Sequence, residues 1–165
     1  MEHFPKPGVL FPDITTLLLQ PTIFQEAIDA IANRYKDQGI THIVSMEARG
    51  WIIGAPVALA LKLPFVCVRK PRKLPGETIS ASYSSGYVRE QLEMHIDAIP
   101  AGSRIVIVDD LVASGSTLAA CSRLVESVGA EVVECACVVE INDMTGRSRV
   151  SRQVFTLLRH KAMVL

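Results

Sequence analysis

The segment that most restricts the fold runs from Arg104 to Thr117, where an apolar strand, two acidic residues and a turn of small residues follow one another. Ile105 to Val108 are four consecutive β-branched apolar residues, which is typical of a strand covered on both faces. Apolar residues then recur at helical spacing from Leu118 to Val128. Parallel α/β sheets bind ligands outside the carboxyl ends of their strands. The segment therefore predicts an α/β fold with a ligand site after this strand.

The turn after the strand has the composition of a phosphate site. Its residues are Ala113, Ser114, Gly115, Ser116 and Thr117. Small side chains let backbone N–H groups approach an anion, and the helix start and the hydroxyls add further donors. Asp109 and Asp110 would repel a phosphate, but they suit vicinal hydroxyls or a hydrated cation. These residues predict a ligand such as a ribose 5-phosphate. The alternative is an ordinary turn with a Ser/Thr helix cap, and it leaves the paired aspartates unexplained.

Two other segments carry groups that can bind an anion. Glu47 to Gly50 joins a predicted strand to a helix that begins near Trp51, so it forms a second possible cradle, and a helix-capping role for Arg49 is the alternative. Four of the five residues from Arg69 to Lys73 are basic. They form either a solvated surface loop or a site that stabilises a departing pyrophosphate.

The remaining segments predict one domain that spans residues 1–165. We predict helices at 21–39 and 51–61, strands at 40–46, 64–68, 131–141 and 154–158, a mobile antiparallel hairpin at 79–94, an irregular segment at 4–18, and an exposed basic turn at 146–149 to which the sequence assigns no function.

Three segments carry a resemblance to a known family. Ile-Val-Ile-Val-Asp-Asp-Leu-Val-Ala-Ser-Gly-Ser-Thr, which ends at Thr117, resembles the 5-phosphoribosyl-1-pyrophosphate (PRPP) motif of type I phosphoribosyltransferases. Phe4-Pro-Lys-Pro-Gly-Val-Leu-Phe-Pro-Asp-Ile14 and Val68-Arg-Lys-Pro-Arg-Lys-Leu-Pro-Gly-Glu-Thr-Ile79 look like signatures of the adenine phosphoribosyltransferase family. The similarity runs from Phe4 to Leu158, which is nearly the whole chain.

The resemblance implies a type I phosphoribosyltransferase fold and a reaction of purine salvage. In that fold a central parallel sheet is flanked by helices, and a small N-terminal hood, here about residues 1–18, covers the base. The implied reaction joins adenine to PRPP and gives AMP and pyrophosphate, with Mg²⁺ as cofactor. It is a displacement at the anomeric carbon through an oxocarbenium-like state. The resemblance also implies a homodimer.

The resemblance assigns the site residues by their ligand. Asp109 and Asp110 are the catalytic pair, which holds the ribose hydroxyls and offsets developing positive charge. Residues 113–117 hold the 5-phosphate. Phe11 stacks on the base, the backbone of Leu10 contacts the edge of the base, and a hairpin lid carries Tyr87. The protein supplies no metal set of its own, since Mg²⁺ arrives with PRPP close to the two aspartates. Pyrophosphate is assigned to Glu47, Ala48, Arg49, Arg69, Lys70 and Lys73.

Composition excludes several classes of partner. The 165 residues have a formal net charge of zero, so no basic field favours nucleic acid. No apolar run reaches the length of a membrane span. The first residues lack the basic and apolar regions of a signal peptide, which predicts a cytoplasmic protein.

Two positions depart from the family pattern and leave alternatives open. The family places Glu in a hairpin pattern Tyr-x-x-Glu-Tyr, where this chain has Gly86, and a basic residue in the hood, where it has Pro12. Lost polar contacts reduce discrimination between bases. Transfer to hypoxanthine, guanine or xanthine is therefore one alternative. A non-catalytic regulator that binds PRPP or a nucleotide is another, although the basic loop that would expel pyrophosphate is intact.

Overall fold

The computed structural model describes residues 13–85, 88–141 and 146–160. Within these ranges, no helix combines the length and the apolar composition needed to cross a membrane. The elements, in chain order, are α1 (Thr15–Leu18), α2 (Pro21–Tyr35), β1 (His42–Met46), α3 (Arg49–Leu61), β2 (Phe65–Val68), β3 (Thr78–Ser85), β4 (Val88–His95), β5 (Arg104–Val112), α4 (Ser116–Glu126), β6 (Glu131–Ile141), α5 (Gly146–Arg149) and β7 (Val154–His160).

Five of the strands form one parallel sheet in the order β2-β1-β5-β6-β7. The central strand, β5, is the one predicted from its β-branched residues, and the side chains from Ile105 to Val108 are 0% exposed. Such strands suit the middle of a sheet that is covered on both faces. The predicted α/β fold with a central parallel sheet is confirmed.

The two faces of the sheet carry different layers. Val106 of β5 packs in a cluster with Ile31 of α2 and Ile53 of α3. Ile107, the next residue, packs on the opposite face with Leu124 of α4 and with the hairpin formed by β3 and β4. The predicted hairpin therefore exists, and part of it covers α4 and the core.

The contact between α3 and β1 depends on a glycine. A Cβ atom at Gly54 would lie 1.9 Å from Ser45 Oγ and 3.1 Å from Phe65 Cε2. No side chain larger than hydrogen fits there unless the neighbours move. Close approach of α3 to the sheet places the first turn of the helix beside the end of β1.

A group of polar side chains joins α2 to the sheet. Arg34 donates to both carboxylate oxygens of Glu134 on β6, with N–O distances of 2.6 and 2.8 Å, and the Tyr35 hydroxyl donates to the same carboxylate at 2.8 Å. The Arg34 guanidinium also lies 4.3 Å from the centre of the Phe155 ring on β7. These contacts fix α2 across two strands.

Several predicted boundaries were wrong. The strand predicted at 105–108 continues to Val112 because β6 runs beside it, so Asp109 and Asp110 lie inside β5. Helix α2 ends at Tyr35, since Asp37 and Gly39 adopt left-handed conformations with φ of 62° and 68°. Helices α3 and α4 each begin two residues before the predicted start.

Two predicted loops contain helical turns. Residues 15–18 of the segment predicted to be irregular form α1. Residues 146–149, predicted as an exposed turn, form α5, in which Arg147 is paired with Glu140 on β6. A bidentate ion pair to a buried carboxylate explains why this segment is ordered into a helix.

Candidate active site

A pocket of about 360 Å³ opens at the carboxyl ends of β1 and β5, the sheet edge that the sequence predicted. It brings together side chains from three segments that are far apart in the chain. The predicted site residues in its lining are Glu47, Ala48, Arg49, Asp109, Asp110, Ala113, Ser114, Gly115 and Thr117.

The turn between β5 and α4 has the backbone geometry of an anion cradle. Gly115 is the N-cap of α4 and has a φ of 70°, a left-handed conformation that favours glycine. The first N–H groups of a helix have no partner within the helix, so those of α4 are available to a ligand. The hydroxyls of Ser114 and Ser116 lie 3.1 Å apart. Ser114 lines the pocket, whereas Ser116 lies beside the lining.

The two aspartates differ in their surroundings. Asp110 is 6% exposed, and its Oδ2 accepts a hydrogen bond from Arg49 Nε. That hydrogen bond raises the pKa of the Arg49 guanidinium. Asp109 Oδ1 accepts a hydrogen bond of 2.9 Å from the backbone N–H of Asp110. Burial raises the pKa of Asp109, and the adjacent Asp110 carboxylate raises it further. The pocket therefore holds two adjacent carboxyl groups, of which Asp110 is paired with a guanidinium.

Gly50 limits where the Asp109 carboxylate can lie. A Cβ atom at Gly50 would stand 2.8 Å from Asp109 Oδ1 and 3.4 Å from the carbonyl oxygen of Val108. The start of α3 thus packs directly against the acidic pair. Sequence analysis placed Gly50 in the second possible cradle but gave it no role of its own.

The turn after β1 holds the basic loop by ion pairing. Glu47 accepts from Arg69 Nε at 2.8 Å and from the backbone N–H of Lys70 at 2.7 Å. Burial raises the pKa of Glu47, but these hydrogen bonds outweigh it and hold that pKa below its ordinary value. Arg69 also donates to the Lys73 carbonyl oxygen at 2.8 Å and lies 5.2 Å from the Trp51 ring centre.

The basic loop therefore lies next to the pocket without lining it. Arg69, Lys70 and Lys73 are absent from the pocket lining, and Arg69 is engaged by Glu47. Their assignment to pyrophosphate stays a prediction.

The hairpin contributes a residue that sequence analysis missed. Tyr83 of β3 lines the pocket, and its hydroxyl donates to Glu90 Oε2 on β4 at 2.5 Å. Burial and this hydrogen bond raise the pKa of Tyr83 to about 12. Alternation along β3 was the available signal, since Ile79, Ala81 and Tyr83 all pack toward the core.

The expected base site and lid tip fall outside the described residues. Leu10, Phe11 and Pro12 belong to the first, and Gly86 and Tyr87 to the second.

The site offers limited ligation to a cation. Among residues 13–85, 88–141 and 146–160, no group of three or more His, Cys, Asp or Glu side chains could hold a metal ion. Asp109 and Asp110 supply carboxylate oxygens, which suit Mg²⁺ when phosphates and waters complete its shell. The donor set fits an ion that arrives with a phosphorylated ligand.

Comparison with known proteins agrees with this geometry. The sequence profile of the phosphoribosyl transferase domain matches residues 13–161. Adenine phosphoribosyltransferase 1 of Triticum aestivum is 51% identical over 160 residues, which cover 96% of this chain and 88% of the wheat protein. The chain belongs to the adenine phosphoribosyltransferase family.

Solved structures of this family have the same fold. The adenine phosphoribosyltransferase of Thermoanaerobacter pseudethanolicus is 39% identical, with a TM-score of 0.93 over 97% of this chain and 94% of that one. The enzyme of Saccharomyces cerevisiae, solved with an imino-altritol bisphosphate and adenine, is 41% identical, with a TM-score of 0.92 over 96% and 92% of the two chains. The family, fold and enzyme class predicted from the sequence are confirmed.

Proposed function

We propose that this chain transfers the 5-phosphoribosyl group of PRPP to adenine and releases AMP and pyrophosphate. The observation that carries the proposal is a single pocket in which a small-residue turn at a helix start adjoins two carboxylates. A phosphate and the hydroxyls of one ribose match these two halves. Family membership supports adenine as the base.

The acidic pair is proposed to serve the ribose. Asp109 and Asp110 accept hydrogen bonds from the ribose hydroxyls, and their negative charge stabilises the positive charge that develops at the anomeric carbon. Most of the acceleration comes from positioning and charge, because this displacement needs no covalent nucleophile.

Pyrophosphate is proposed to leave toward the turn after β1. Glu47, Ala48 and Arg49 line that end of the pocket, and Arg49 brings a guanidinium to it. Arg69, Lys70 and Lys73 add positive charge from the adjacent loop. Mg²⁺ would be held by Asp109 and Asp110 together with PRPP oxygens, and when bound it neutralises charge on the pyrophosphate.

The base is proposed to bind under the hood. Phe11 would stack on the purine and the backbone of Leu10 would contact its edge, with Tyr87 in the lid. Pro12 and Gly86 favour a site with fewer polar contacts, so hypoxanthine, guanine and xanthine remain the second candidates.

The proposal is tested by pyrophosphate release from PRPP and Mg²⁺ with adenine, hypoxanthine, guanine and xanthine supplied separately. We expect release with adenine. If pyrophosphate is released only with another base, that base is the substrate in place of adenine. Binding of PRPP without release in any mixture would favour the regulator.

The acidic pair has its own test. The double variant Asp109→Asn/Asp110→Asn should lower kcat/KM by at least about a hundredfold, because it removes charge that stabilises the transition state. Asp97→Asn is the matched control, since Asp97 is exposed and lies between β4 and β5. Near-normal turnover of a folded double variant would contradict the assigned roles.

The oligomeric state and location also remain proposals. We propose a homodimer, and support comes from large apolar side chains exposed on the α1–α3 side, among them Leu19 at 76% and Leu59 at 80%. Sedimentation analysis of the full chain tests it, and a monomer at micromolar concentration would contradict it. A cytoplasmic location stays a prediction, which cell fractionation can check.

A further inference from the structure

The basic segment at 146–149, to which the sequence assigned no function, contacts the turn at 113–117. Arg149 of α5 donates a hydrogen bond from Nη1 to Ser116 Oγ, at 3.2 Å. Ser116 is the first residue of α4 and lies 33 positions earlier in the chain. An arginine thus contacts the element that we assign to the 5-phosphate.

An ion pair fixes α5 in this position. Arg147 donates from Nε and Nη2 to the two carboxylate oxygens of Glu140, at 2.6 and 2.8 Å. Glu140 is 8% exposed, and Thr156 Oγ1 also donates to it at 3.3 Å. Glu140 pairs in register with Val112, the last residue of β5. The Arg147–Glu140 ion pair therefore lies beside the point where the turn at 113–117 begins.

The contact sets the direction of the hydroxyl groups in the turn. A serine hydroxyl has one proton to donate, and Ser116 Oγ accepts from Arg149. Its own proton is then directed elsewhere, and Ser114 Oγ stands 3.1 Å away. Ser114 lines the pocket. The guanidinium therefore polarises a short chain of hydroxyls that ends at the pocket.

The positive charge of Arg149 also offsets electrostatic repulsion between a phosphate in the turn and the two aspartates. Residues 113–117 are all uncharged, whereas Asp109 and Asp110 stand just upstream. A phosphate dianion that enters the turn meets backbone dipoles and hydroxyls on one side and acidic groups on the other. A guanidinium at the turn offsets this repulsion.

We propose that Arg149 is a positioning residue for the 5-phosphate of PRPP, acting through Ser116 and held in place by the Arg147–Glu140 pair. This inference rests on the proposed assignment of residues 113–117 to the 5-phosphate. It adds α5 to the active site.

The test compares Arg149→Ala and Arg149→Lys with Arg152→Ala as the matched control. Arg152 is also exposed, but it pairs with Glu126 at the other end of α4, at 2.9 and 3.0 Å. Calorimetry with ribose 5-phosphate and, separately, with pyrophosphate measures the two halves of the site. Steady-state kinetics at saturating base gives KM for PRPP and kcat.

For Arg149→Ala we expect ribose 5-phosphate to bind about five- to twentyfold more weakly, because a charge-assisted contact is lost. Pyrophosphate affinity, kcat and the thermal midpoint should stay near wild type, since Arg149 is exposed and lies at the phosphate end. KM for PRPP should rise, and Arg149→Lys should recover part of the loss. Arg147→Ala should cause a similar loss, and the double variant Arg147→Ala/Arg149→Ala should be little worse than either alone.

Two results would overturn the inference. In the first, Arg149→Ala binds ribose 5-phosphate as tightly as Arg152→Ala does. In the second, Arg149→Ala weakens the binding of pyrophosphate as much as the binding of ribose 5-phosphate, which indicates a general structural effect. Thr117→Val separates failure of the inference from failure of the assigned phosphate site. If Thr117→Val weakens ribose 5-phosphate and Arg149→Ala does not, only the role of Arg149 fails. If neither variant matters, the phosphate site itself is wrong.

Discussion

At the scale of single residues, the position of the Asp109 carboxylate depends on a neighbour that has no side chain. Gly50 is the second residue of α3, and an added Cβ would approach Asp109 Oδ1 to 2.8 Å. We expect Gly50→Ala to lower kcat/KM by about ten- to a hundredfold, because we propose Asp109 as a catalytic group and a misplacement of about 1 Å can cost on the order of a hundredfold. Steady-state kinetics with thermal melting checks this.

The control for that change is Gly102→Ala. Gly102 lies before β5, at the end of the strand opposite the pocket, and its added Cβ would meet no atom within 4 Å. Its φ of 78° makes alanine strained, so this variant should lose some stability and keep its activity. Equal activity of the two variants would contradict the proposed restriction on Asp109.

The residue scale is also where sequence analysis was least complete. The turn at 113–117 and the acidic pair were predicted because their neighbours in sequence explain their chemistry. The partner of Arg69 is 22 residues away, and the partner of Arg149 is 33 residues away. Both partners are brought close only by the sheet, and no local spacing indicates which carboxylate or hydroxyl an exposed arginine contacts.

At the scale of elements, the ion pair between α2 and β6 makes stability depend on pH. Burial raises the pKa of Glu134, but hydrogen bonds from Arg34 and Tyr35 outweigh it and leave that pKa below the ordinary value. A lowered folded-state pKa adds stability above the unfolded pKa, and this stability is lost as pH falls through the folded value. Helix α2 should therefore loosen from the sheet in acid.

Glu134→Gln tests that dependence. At pH 7 we expect the free energy of unfolding to fall by about 1–2 kcal/mol, because Glu134 is buried whereas Arg34 is partly exposed. The difference from wild type should shrink as pH falls below the ordinary Glu pKa of about 4.3 and through the lower pKa of Glu134 in the folded protein. Urea unfolding of both proteins at pH 7 and at acidic pH measures this difference in the free energy of unfolding. Glu131→Gln is the control on the same strand, since its pair with Arg104 is exposed, and an equal loss there would contradict the argument.

The element boundaries show which parts of the fold are determined by local sequence and which by contacts with distant residues. The apolar core of β5 was predicted from four β-branched residues, but its extension to Val112 requires the neighbouring β6. The early end of α2 was visible in principle, since Asp37 to Gly39 has residues that tolerate left-handed conformations. The helical state of 146–149 was not visible, because it depends on Glu140.

At the scale of the whole molecule, the pocket joins elements from both layers of the sheet. Arg49 belongs to α3 on one face, Thr117 belongs to α4 on the other, and Tyr83 comes from the hairpin. A ligand that contacts all three is bound only by the folded arrangement of the entire sheet. Ligand binding should therefore raise the free energy of unfolding of the whole molecule.

AMP should raise the thermal midpoint of the whole chain in one transition. At a concentration a hundredfold above its dissociation constant, a ligand adds about 2.7 kcal/mol, which for a chain of this size raises the midpoint by about 5–10 °C. Calorimetry should show one peak that moves intact, because β5 packs against α3 on one face of the sheet and against α4 on the other. Adenosine is the control, since it lacks the phosphate that we propose the turn binds, and it should give a much smaller shift. Two peaks, of which AMP moves only one, would mean that the hairpin or a helical layer unfolds independently of the pocket.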